Sequence, residues 1–224
     1  TYTCTLNSFM RFRQGKDVLW KDFDADLTAS YEAYLKSTGV SMNTISFYNR
    51  ILRAVYNRAV EKGFTKQVFP FKNVYTGVEK TIRRGLPIKT IRNIRNLDLS
   101  HCPSLDYARD MFLFSFYTRG MSFVDMAYLK KNDLKNGILT YRRKKTGQRL
   151  CIRWERDMQD ILEKYHISQE SPYLLPIIHK TGKEERKQYN NALHLVNKKL
   201  KFIGSILQLS IPLTMYVARH SWAT

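Results

Sequence analysis

An irregular stretch in the first half of the sequence constrains the fold most, because it divides the chain into two regions. Residues 69–87, FPFKNVYTGVEKTIRRGLP, combine two prolines and two glycines with a run of basic residues. This composition interrupts helices and is typical of connections between domains. A chain of 224 residues is long enough for two modest domains. We therefore predict domains at 1–78 and 88–224, joined by a linker at 79–87.

The first region has the apolar spacing of helices. In residues 24–39 apolar side chains recur at helical intervals, and Gly39 ends the pattern. Residues 41–63 repeat it, with Ser41 as the predicted N-cap and Gly63 as the stop. The predicted apolar face of this second helix is Ile45, Tyr48, Leu52, Val55 and Ala59. The opposite face carries Arg50, Arg53, Asn57 and Lys62. That basic face is either solvated or lies against phosphates, and the residues alone leave both alternatives open.

The second region is mostly helical with one change of period. A strongly apolar helix through residues 111–117 runs into Thr118-Arg119-Gly120. Apolar and polar residues then alternate over 138–143, a turn follows at 145–148, and the chain returns over 149–154, which predicts a β-hairpin with a basic tip. Further helices are predicted at 88–99, 155–165, 187–203 and within 211–224. The predicted fold class is therefore mainly α with a small β-hairpin or sheet (α+β).

The charge of the chain points to a polyanionic partner. Thirty-eight Lys and Arg residues stand against 19 Asp and Glu residues, which gives a net charge of +19. So large a positive field favours nucleic acid, and we expect double-stranded DNA, although a merely soluble basic protein is the alternative.

Several classes of protein are disfavoured by the sequence. No apolar run approaches the roughly 20 residues of a membrane-spanning helix, so no membrane association is predicted. Cys4, Cys102 and Cys151 are far apart and form no CxxC pair, so neither a disulfide framework nor a zinc site is expected. We also find no P-loop and no carboxylate cluster spaced for Mg²⁺, and so predict no metal and no cofactor. The expected location is the bacterial cytoplasm.

Three basic clusters in the second region stand out. They are Arg119 after the apolar helix, Lys144-Lys145 at the hairpin tip, and Arg219-His220 in the last predicted helix. Singly, each has an ordinary explanation: a helix C-cap, a solvated turn, or a guanidinium paired with a carboxylate. Together, in the blocks FYTRGMSFVDMAYL, YRRKKTGQ and LTMYVARHSWAT, they resemble the tyrosine recombinase (phage-type integrase) family. The sequences of these three blocks are most similar to those of integrases of conjugative transposons and related mobile elements.

The resemblance implies an architecture and a reaction. A helical, SAM-like core-binding domain at 1–78 would precede a catalytic domain at 88–224 that is incomplete at its C-terminus, because the family's nucleophilic tyrosine lies after the last block. The two domains would clamp duplex DNA from opposite sides. The tyrosine attacks a DNA phosphodiester, forms a 3′-phosphotyrosyl link, and a 5′-hydroxyl reverses the step without ATP or metal. The full-length protein would act as a tetramer on DNA.

The resemblance also assigns residues. Arg219 takes the place of the second phosphate-clamping arginine, and Lys145 that of the general acid. Ser122 stands where the first arginine belongs, so Arg119 is the predicted substitute. Tyr216 occupies the histidine position of H-x-x-R. Two guanidiniums can hold the charged oxygens of the transition state bidentately, and a lysine can protonate the leaving 5′-oxygen.

The complete prediction contains three groups of residues. The predicted catalytic residues are Arg119, Lys145, Tyr216, Arg219 and His220, the last with a mostly structural role. The predicted DNA contacts are Arg50, Arg53, Lys62, Arg83, Arg84, Arg143 and Lys144. Ser122 and Asp125 are predicted to orient the basic groups.

Two other functions remain open from the sequence. Ser122 and Tyr216 depart from the family pattern, which favours a non-catalytic DNA-binding or regulatory protein on a degenerate recombinase fold. An RNA-binding protein has less support, because no aromatic motif for stacked bases is present.

Overall fold

The structure is a computed structural model that describes residues 2–80, 84–182 and 184–223. The chain divides into two compact units, Thr1–Ile82 (unit 1) and Arg83–Thr224 (unit 2). Each unit has a hydrophobic core of its own. The predicted linker at 79–87 spans the division, and its bounds stay a prediction.

The described residues form nine α-helices and one three-stranded antiparallel sheet. Unit 1 contains α1 (Tyr2–Phe12), α2 (Ala25–Ser37) and α3 (Met42–Glu61). The helices of unit 2 are α4 (Ile88–Asn96), α5 (Pro103–Tyr117), α6 (Phe123–Ala127), α7 (Arg156–Glu163), α8 (Glu185–Ile206) and α9 (Met215–Trp222). The sheet, in the order β1-β2-β3, consists of β1 (Leu134–Lys135), β2 (Ile138–Arg142) and β3 (Arg149–Arg153). The predicted fold class is confirmed.

The described residues contain neither a membrane-spanning helix nor a cluster of metal-ligating side chains. No helix in the described ranges combines the length and the hydropathy of a membrane-spanning segment. The same ranges contain no group of three or more His, Cys, Asp or Glu side chains that could hold a metal ion.

Aromatic side chains hold the core of unit 1 together. The Asp24 carboxylate accepts from the Leu27 N–H at 2.8 Å and so begins α2. Phe9 of α1 packs edge-to-face on Tyr31 of α2, with ring centroids 5.1 Å apart. Phe23 stacks on Tyr56 of α3 at 5.7 Å. Offset and edge-on aromatic pairs of this kind add to the stabilisation from burial.

The buried face of α3 differs from the predicted one. Ile45 and Ala59 are buried as expected, but Val55 is 38% exposed and was wrongly placed in the core. Tyr56 and Asn49 are buried instead. Asn49 escapes an apolar pattern because it is polar. Its side-chain N–H₂ group donates to a carboxylate of α2 and to a backbone carbonyl, which compensates part of the cost of its burial.

The first half of the irregular stretch closes unit 1. Phe71 and Val74 are buried in the unit 1 core. The Glu32 carboxylate accepts from the Tyr75 N–H at 2.6 Å, and Ser46 Oγ donates to the Gly77 carbonyl at 2.5 Å. These contacts satisfy the backbone of a segment without regular structure, so the segment packs onto α2 and α3.

Helix α5 is the centre of unit 2. It packs against α4, α7, α8 and α9. Its buried residues surround the helix and are Leu105, Ala108, Asp110, Met111, Phe112, Leu113, Phe114 and Ser115. The buried Asp110 carboxylate accepts from Lys164 Nζ at 2.5 Å and from the Tyr165 hydroxyl at 2.9 Å. This charged network joins α5 to the end of α7.

The predicted hairpin is present. Tyr141 of β2 pairs with Leu150 of β3, and Arg142 pairs with Arg149. At the tip Gly147 adopts a φ of 70°, and its N–H donates to the Arg143 carbonyl at 2.8 Å. The short strand β1, which extends the hairpin to a three-stranded sheet, was not predicted because two residues carry no periodic pattern.

Glu32 provides a pH test of unit 1. Burial raises the pKa of Glu32, but hydrogen bonds from Lys36, Tyr75 and Asn49 outweigh it and hold the pKa below its usual value of 4.5. A depressed folded-state pKa contributes stability above the usual value and loses it as pH falls. We expect Glu32→Gln to lower the free energy of unfolding by about 1–3 kcal/mol at neutral pH, and this deficit to vanish in acid.

Pulse-labelled hydrogen exchange of α2 and α3 across a urea series would measure this difference at each pH. Glu61→Gln, at the exposed end of α3, is the matched control and should have little effect. A deficit of the same size at neutral and acidic pH would contradict the assignment.

Candidate functional site

The site of unit 2 is built at the C-terminal end of α5. Thr118 ends the helix and its hydroxyl donates to the Phe114 carbonyl at 2.6 Å. Arg119 and Gly120 then both take left-handed backbone conformations, with φ of 60° and 72°. A Cβ at Gly120 would lie 2.9 Å from the Arg219 Cα, so glycine is required both by the backbone and by the approach of α9. The turn therefore seats α9 directly against the end of α5.

Arg219 is fixed by this contact. Its Nε donates to the Gly120 carbonyl at 2.7 Å, and its side chain is half-buried. The neighbouring residues Val217 and Ala218 are fully buried in the core of unit 2 and hold the helix in place. A guanidinium has five N–H donors, so the bond to Gly120 leaves it capacity to bind an anion.

Arg219 lines an open pocket of about 320 Å³. Ser122 at the start of α6 and Tyr216 on α9 line the same pocket, together with Asn197 of α8. The Asn197 carbonyl oxygen accepts from the Met215 N–H at 2.9 Å and so caps α9 from another helix. The Tyr216 ring is 55% exposed and packs edge-on against His220, with centroids 4.3 Å apart.

A buried carboxylate anchors the hairpin. Asp125 Oδ1 accepts from the Lys144 N–H at 2.8 Å, and Oδ2 accepts from the Ser122 hydroxyl. The Lys144 ammonium lies 4.1 Å from the centre of the Tyr128 ring, a cation–π contact. Lys144 is therefore held at its backbone and at its side chain, although it is exposed, as is the next residue, Lys145.

The Tyr141 phenol on β2 is influenced by charges from both α6 and α9. Its pKa is raised to about 12, mainly by burial and in addition by the nearby Asp125 carboxylate, while Arg143 and Arg219 oppose the rise. Asp125, Arg143 and Arg219 thus all act electrostatically on one buried phenol of β2. The hairpin, α6 and α9 thus converge on the same region.

The structure brings together some of the predicted residues. Ser122, Tyr216 and Arg219 share the pocket of about 320 Å³. Asp125 and Lys144 line a second pocket of about 410 Å³ beside the hairpin. Arg119 and Lys145 are exposed and are not among the described residues lining either pocket. Their catalytic roles, and the direction in which Arg119 would meet an anion, stay predictions.

The remaining predicted DNA contacts lie at exposed or half-buried positions. Arg143 is half-buried at the base of the hairpin tip. The exposed ones are Arg50, Arg53, Lys62 and Arg84. Arg83 lies outside the described residues.

Three supporting residues escaped sequence reasoning. Asn197 caps a helix that begins 18 positions later, and no local pattern reveals such a bond. Tyr128 lies one helical turn after Asp125, so its position beside the hairpin could be found only once Asp125 was known to bind the tip. The role of Gly120 follows from its contact with α9 and not from its neighbours in sequence.

The chain is similar to proteins of known structure and to one family model. Residues 1–74 match the model of the phage integrase SAM-like domain. No curated protein matches the chain significantly.

Three solved structures illustrate the similarity. A lambda integrase dimer bound to a COC′ core site has a TM-score of 0.73 and 15% identity, covering 99% of this chain and 79% of that chain. A lambda integrase tetramer bound to a Holliday junction has a TM-score of 0.70 and 15% identity, covering 99% and 62%. The Tn1549 transposon integrase in complex with transposon right end DNA has a TM-score of 0.64 and 13% identity, covering 98% and 78%.

At identities this low, the structural similarity establishes the fold alone, and the family model covers most of unit 1. The resemblance that the sequence motifs indicated is confirmed on both counts. Residues 1–74 therefore match the phage integrase SAM-like domain, and the chain has, over nearly its whole length, the fold of the lambda and Tn1549 integrases.

Proposed function

We propose that this chain binds double-stranded DNA and forms part of a site-specific tyrosine recombinase that breaks and rejoins DNA strands. The observation that carries the proposal is the pocket shared by Ser122, Tyr216 and Arg219, because these residues occupy the motif positions and meet in space. The similar structures of integrases bound to DNA support the same function. Self-association on DNA, as in the lambda integrase tetramer, is part of the proposal.

In the proposed reaction a tyrosine hydroxyl forms a bond to the scissile phosphorus while the bond to the 5′-oxygen breaks. Negative charge then accumulates on the non-bridging oxygens. Arg219, already fixed by the Gly120 carbonyl, holds one of them without further ordering of its side chain. Arg119, one residue before Gly120, supplies the second guanidinium. The nucleophilic tyrosine belongs to a segment that the family pattern places after α9.

Lys145 donates its proton to the departing 5′-oxygen. The Lys144 ammonium contacts the Tyr128 ring, and the Lys144 backbone N–H donates to the Asp125 carboxylate. The hairpin tip is thus anchored one residue before Lys145, which leaves the Lys145 ammonium to reach the substrate. Tyr216 replaces a histidine and contributes a hydroxyl that can donate to a phosphate oxygen.

The alternative is a DNA-binding protein without catalysis. Ser122 favours it, because its hydroxyl is engaged with Asp125 and begins α6, and it brings no charge to the pocket. The two functions differ in one respect that can be measured: both require DNA binding, but only the recombinase requires Lys145 as an acid.

The first expected outcome is steep salt dependence of duplex binding. Phosphate contacts release counterions, so the logarithm of the binding constant should fall linearly with the logarithm of the salt concentration. Arg53→Ala should reduce this slope by about one unit. Fluorescence anisotropy of a labelled duplex would measure both quantities. Arg156→Ala is the control, because Arg156 already pairs with Asp160 at 2.6 Å. A flat salt dependence would rule out the proposed DNA binding.

The second outcome concerns the general acid. In a chain that includes the nucleophilic tyrosine, Lys145→Ala should slow strand cleavage by about 10²–10⁴-fold and leave DNA affinity nearly unchanged. A 5′-phosphorothiolate substrate has a leaving group that needs no proton, so it should restore cleavage. Lys135→Ala, at an exposed position of β1, is the control and should cleave normally. Loss of cleavage without rescue would move the acid elsewhere or favour the non-catalytic alternative.

The third outcome tests the close contact between the turn at Gly120 and Arg219 of α9. Gly120→Ala adds a Cβ 2.9 Å from the Arg219 Cα at a left-handed position, and should cost about 2–4 kcal/mol of stability and weaken DNA binding. Gly137→Ala is the matched control, since Gly137 has the same φ of 72° with nothing within 4 Å of the added Cβ. Thermal melting would compare the two variants. Equal losses would show that α9 can move away from the turn.

A further inference from the structure

Unit 1 presents unusual apolar surface directly after α3. Phe64, Val68 and Phe69 are 64%, 59% and 67% exposed, and they lie close together in sequence. Single exposed apolar residues are common in folded proteins, whereas a group of them indicates a binding surface. Charges surround the group, because Lys66 and Lys72 of the same segment are also exposed.

The backbone of this segment is firmly held. The Tyr56 hydroxyl donates to the Lys66 carbonyl at 2.8 Å, and Thr28 Oγ1 donates to the Pro70 carbonyl at 2.6 Å. Between these anchors, the Gln67 side chain accepts from the Phe69 N–H at 2.9 Å. Phe69 is therefore exposed on a fixed part of the unit.

Phe69 has a backbone conformation that large side chains avoid. Its φ is 51°, in the left-handed region, where glycine is the favoured residue. The Lys72 N–H donates to the Phe69 carbonyl at 3.1 Å and closes the turn. A bulky, exposed ring at a position that would suit glycine points to a use for the ring outside the fold.

The surroundings of Phe69 identify the chemistry of its partner. It lines an open pocket of about 410 Å³ with Arg53 and Asn57 of α3 and with Lys72. No acidic residue is among the described residues that line this pocket. Arg53 and Asn57 lie one turn apart on the exposed face of α3, so Phe69 lies at the end of the basic face proposed to bind DNA.

We propose that Phe69 is an apolar wedge that contacts base faces of duplex DNA from the minor groove, while Arg53 and Lys72 hold the flanking phosphates. Duplex DNA offers both surfaces, because aromatic side chains can enter base steps that unstack readily. A second copy of this chain fits less well: it carries a net charge of +19, and like charges would face each other across the contact. The inference rests on the proposed DNA binding.

The probe for this wedge is a duplex that carries 2-aminopurine at pyrimidine–purine TpA steps, where unstacking increases fluorescence. The wild-type chain should raise the fluorescence. Phe69→Ala should abolish the rise and weaken binding about tenfold, with the salt slope unchanged because the phosphate contacts remain. Phe202→Ala is the matched control, a similarly exposed phenylalanine on α8 of unit 2 and outside the pocket, and should bind within about twofold of wild type.

Phe69→Gly separates binding from folding. Glycine suits the left-handed backbone, so this variant should melt no lower than wild type and still bind as weakly as Phe69→Ala. The wedge would be overturned if Phe69→Ala bound DNA as tightly as wild type, or if the wild-type chain did not raise the fluorescence. Salt-dependent binding of duplex DNA in the same experiment would still support the proposed function. Self-association without DNA that Phe69→Ala abolishes would also overturn it and assign the surface to a second copy.

Discussion

The hydrogen bond from Arg219 to the Gly120 carbonyl is the contact on which the site of unit 2 depends. It lies at the C-terminal end of α5, where unpaired carbonyls favour a positive charge. The turn itself is fixed from within, because the Ser115 hydroxyl donates to the Met121 carbonyl at 2.7 Å and the Gly120 N–H donates to the Ser115 carbonyl at 2.8 Å. Helix α5, which packs in the core of unit 2, thus holds the turn at Gly120 in place, and the turn fixes the guanidinium of Arg219.

One carboxylate organises the other side of the site. Asp125 joins the start of α6 to the hairpin by accepting from the Ser122 hydroxyl and from the Lys144 backbone. Bonding to a backbone N–H positions the hairpin without neutralising a lysine side chain. The Lys144 ammonium meets an aromatic face instead of a carboxylate, so the hairpin tip keeps its positive charge. An anion-binding site gains from this arrangement, because a neutralising ion pair would compete with the substrate.

The sequence predicts the parts of this structure that depend on neighbouring residues. Helical spacing located α3 and α5, and the change of period with Gly147 at the turn located the hairpin. Helical spacing does not predict the buried face of α3 correctly, because Asn49 is polar and is buried through its hydrogen bond to α2. Val55, which fits the apolar spacing, is exposed instead. Charge alone indicated a polyanion, and only the resemblance to a family separated Arg219 from the other basic residues. The pairing of Arg219 with Gly120 spans 99 positions and required the structure.

The two units present positive charge in different ways, and the difference accounts for their proposed roles. In unit 2 a half-buried arginine is fixed by a backbone carbonyl, which suits one phosphate in one geometry. In unit 1 Arg50 and Arg53 are exposed on a helix face, where long side chains can adjust to a backbone of repeated phosphates. A preorganised cation stabilises charge that develops in a reaction, whereas exposed cations mainly supply affinity. Exposed charges alone bind DNA of any sequence, so a fixed apolar side chain such as Phe69 would give unit 1 sensitivity to how readily a base step deforms.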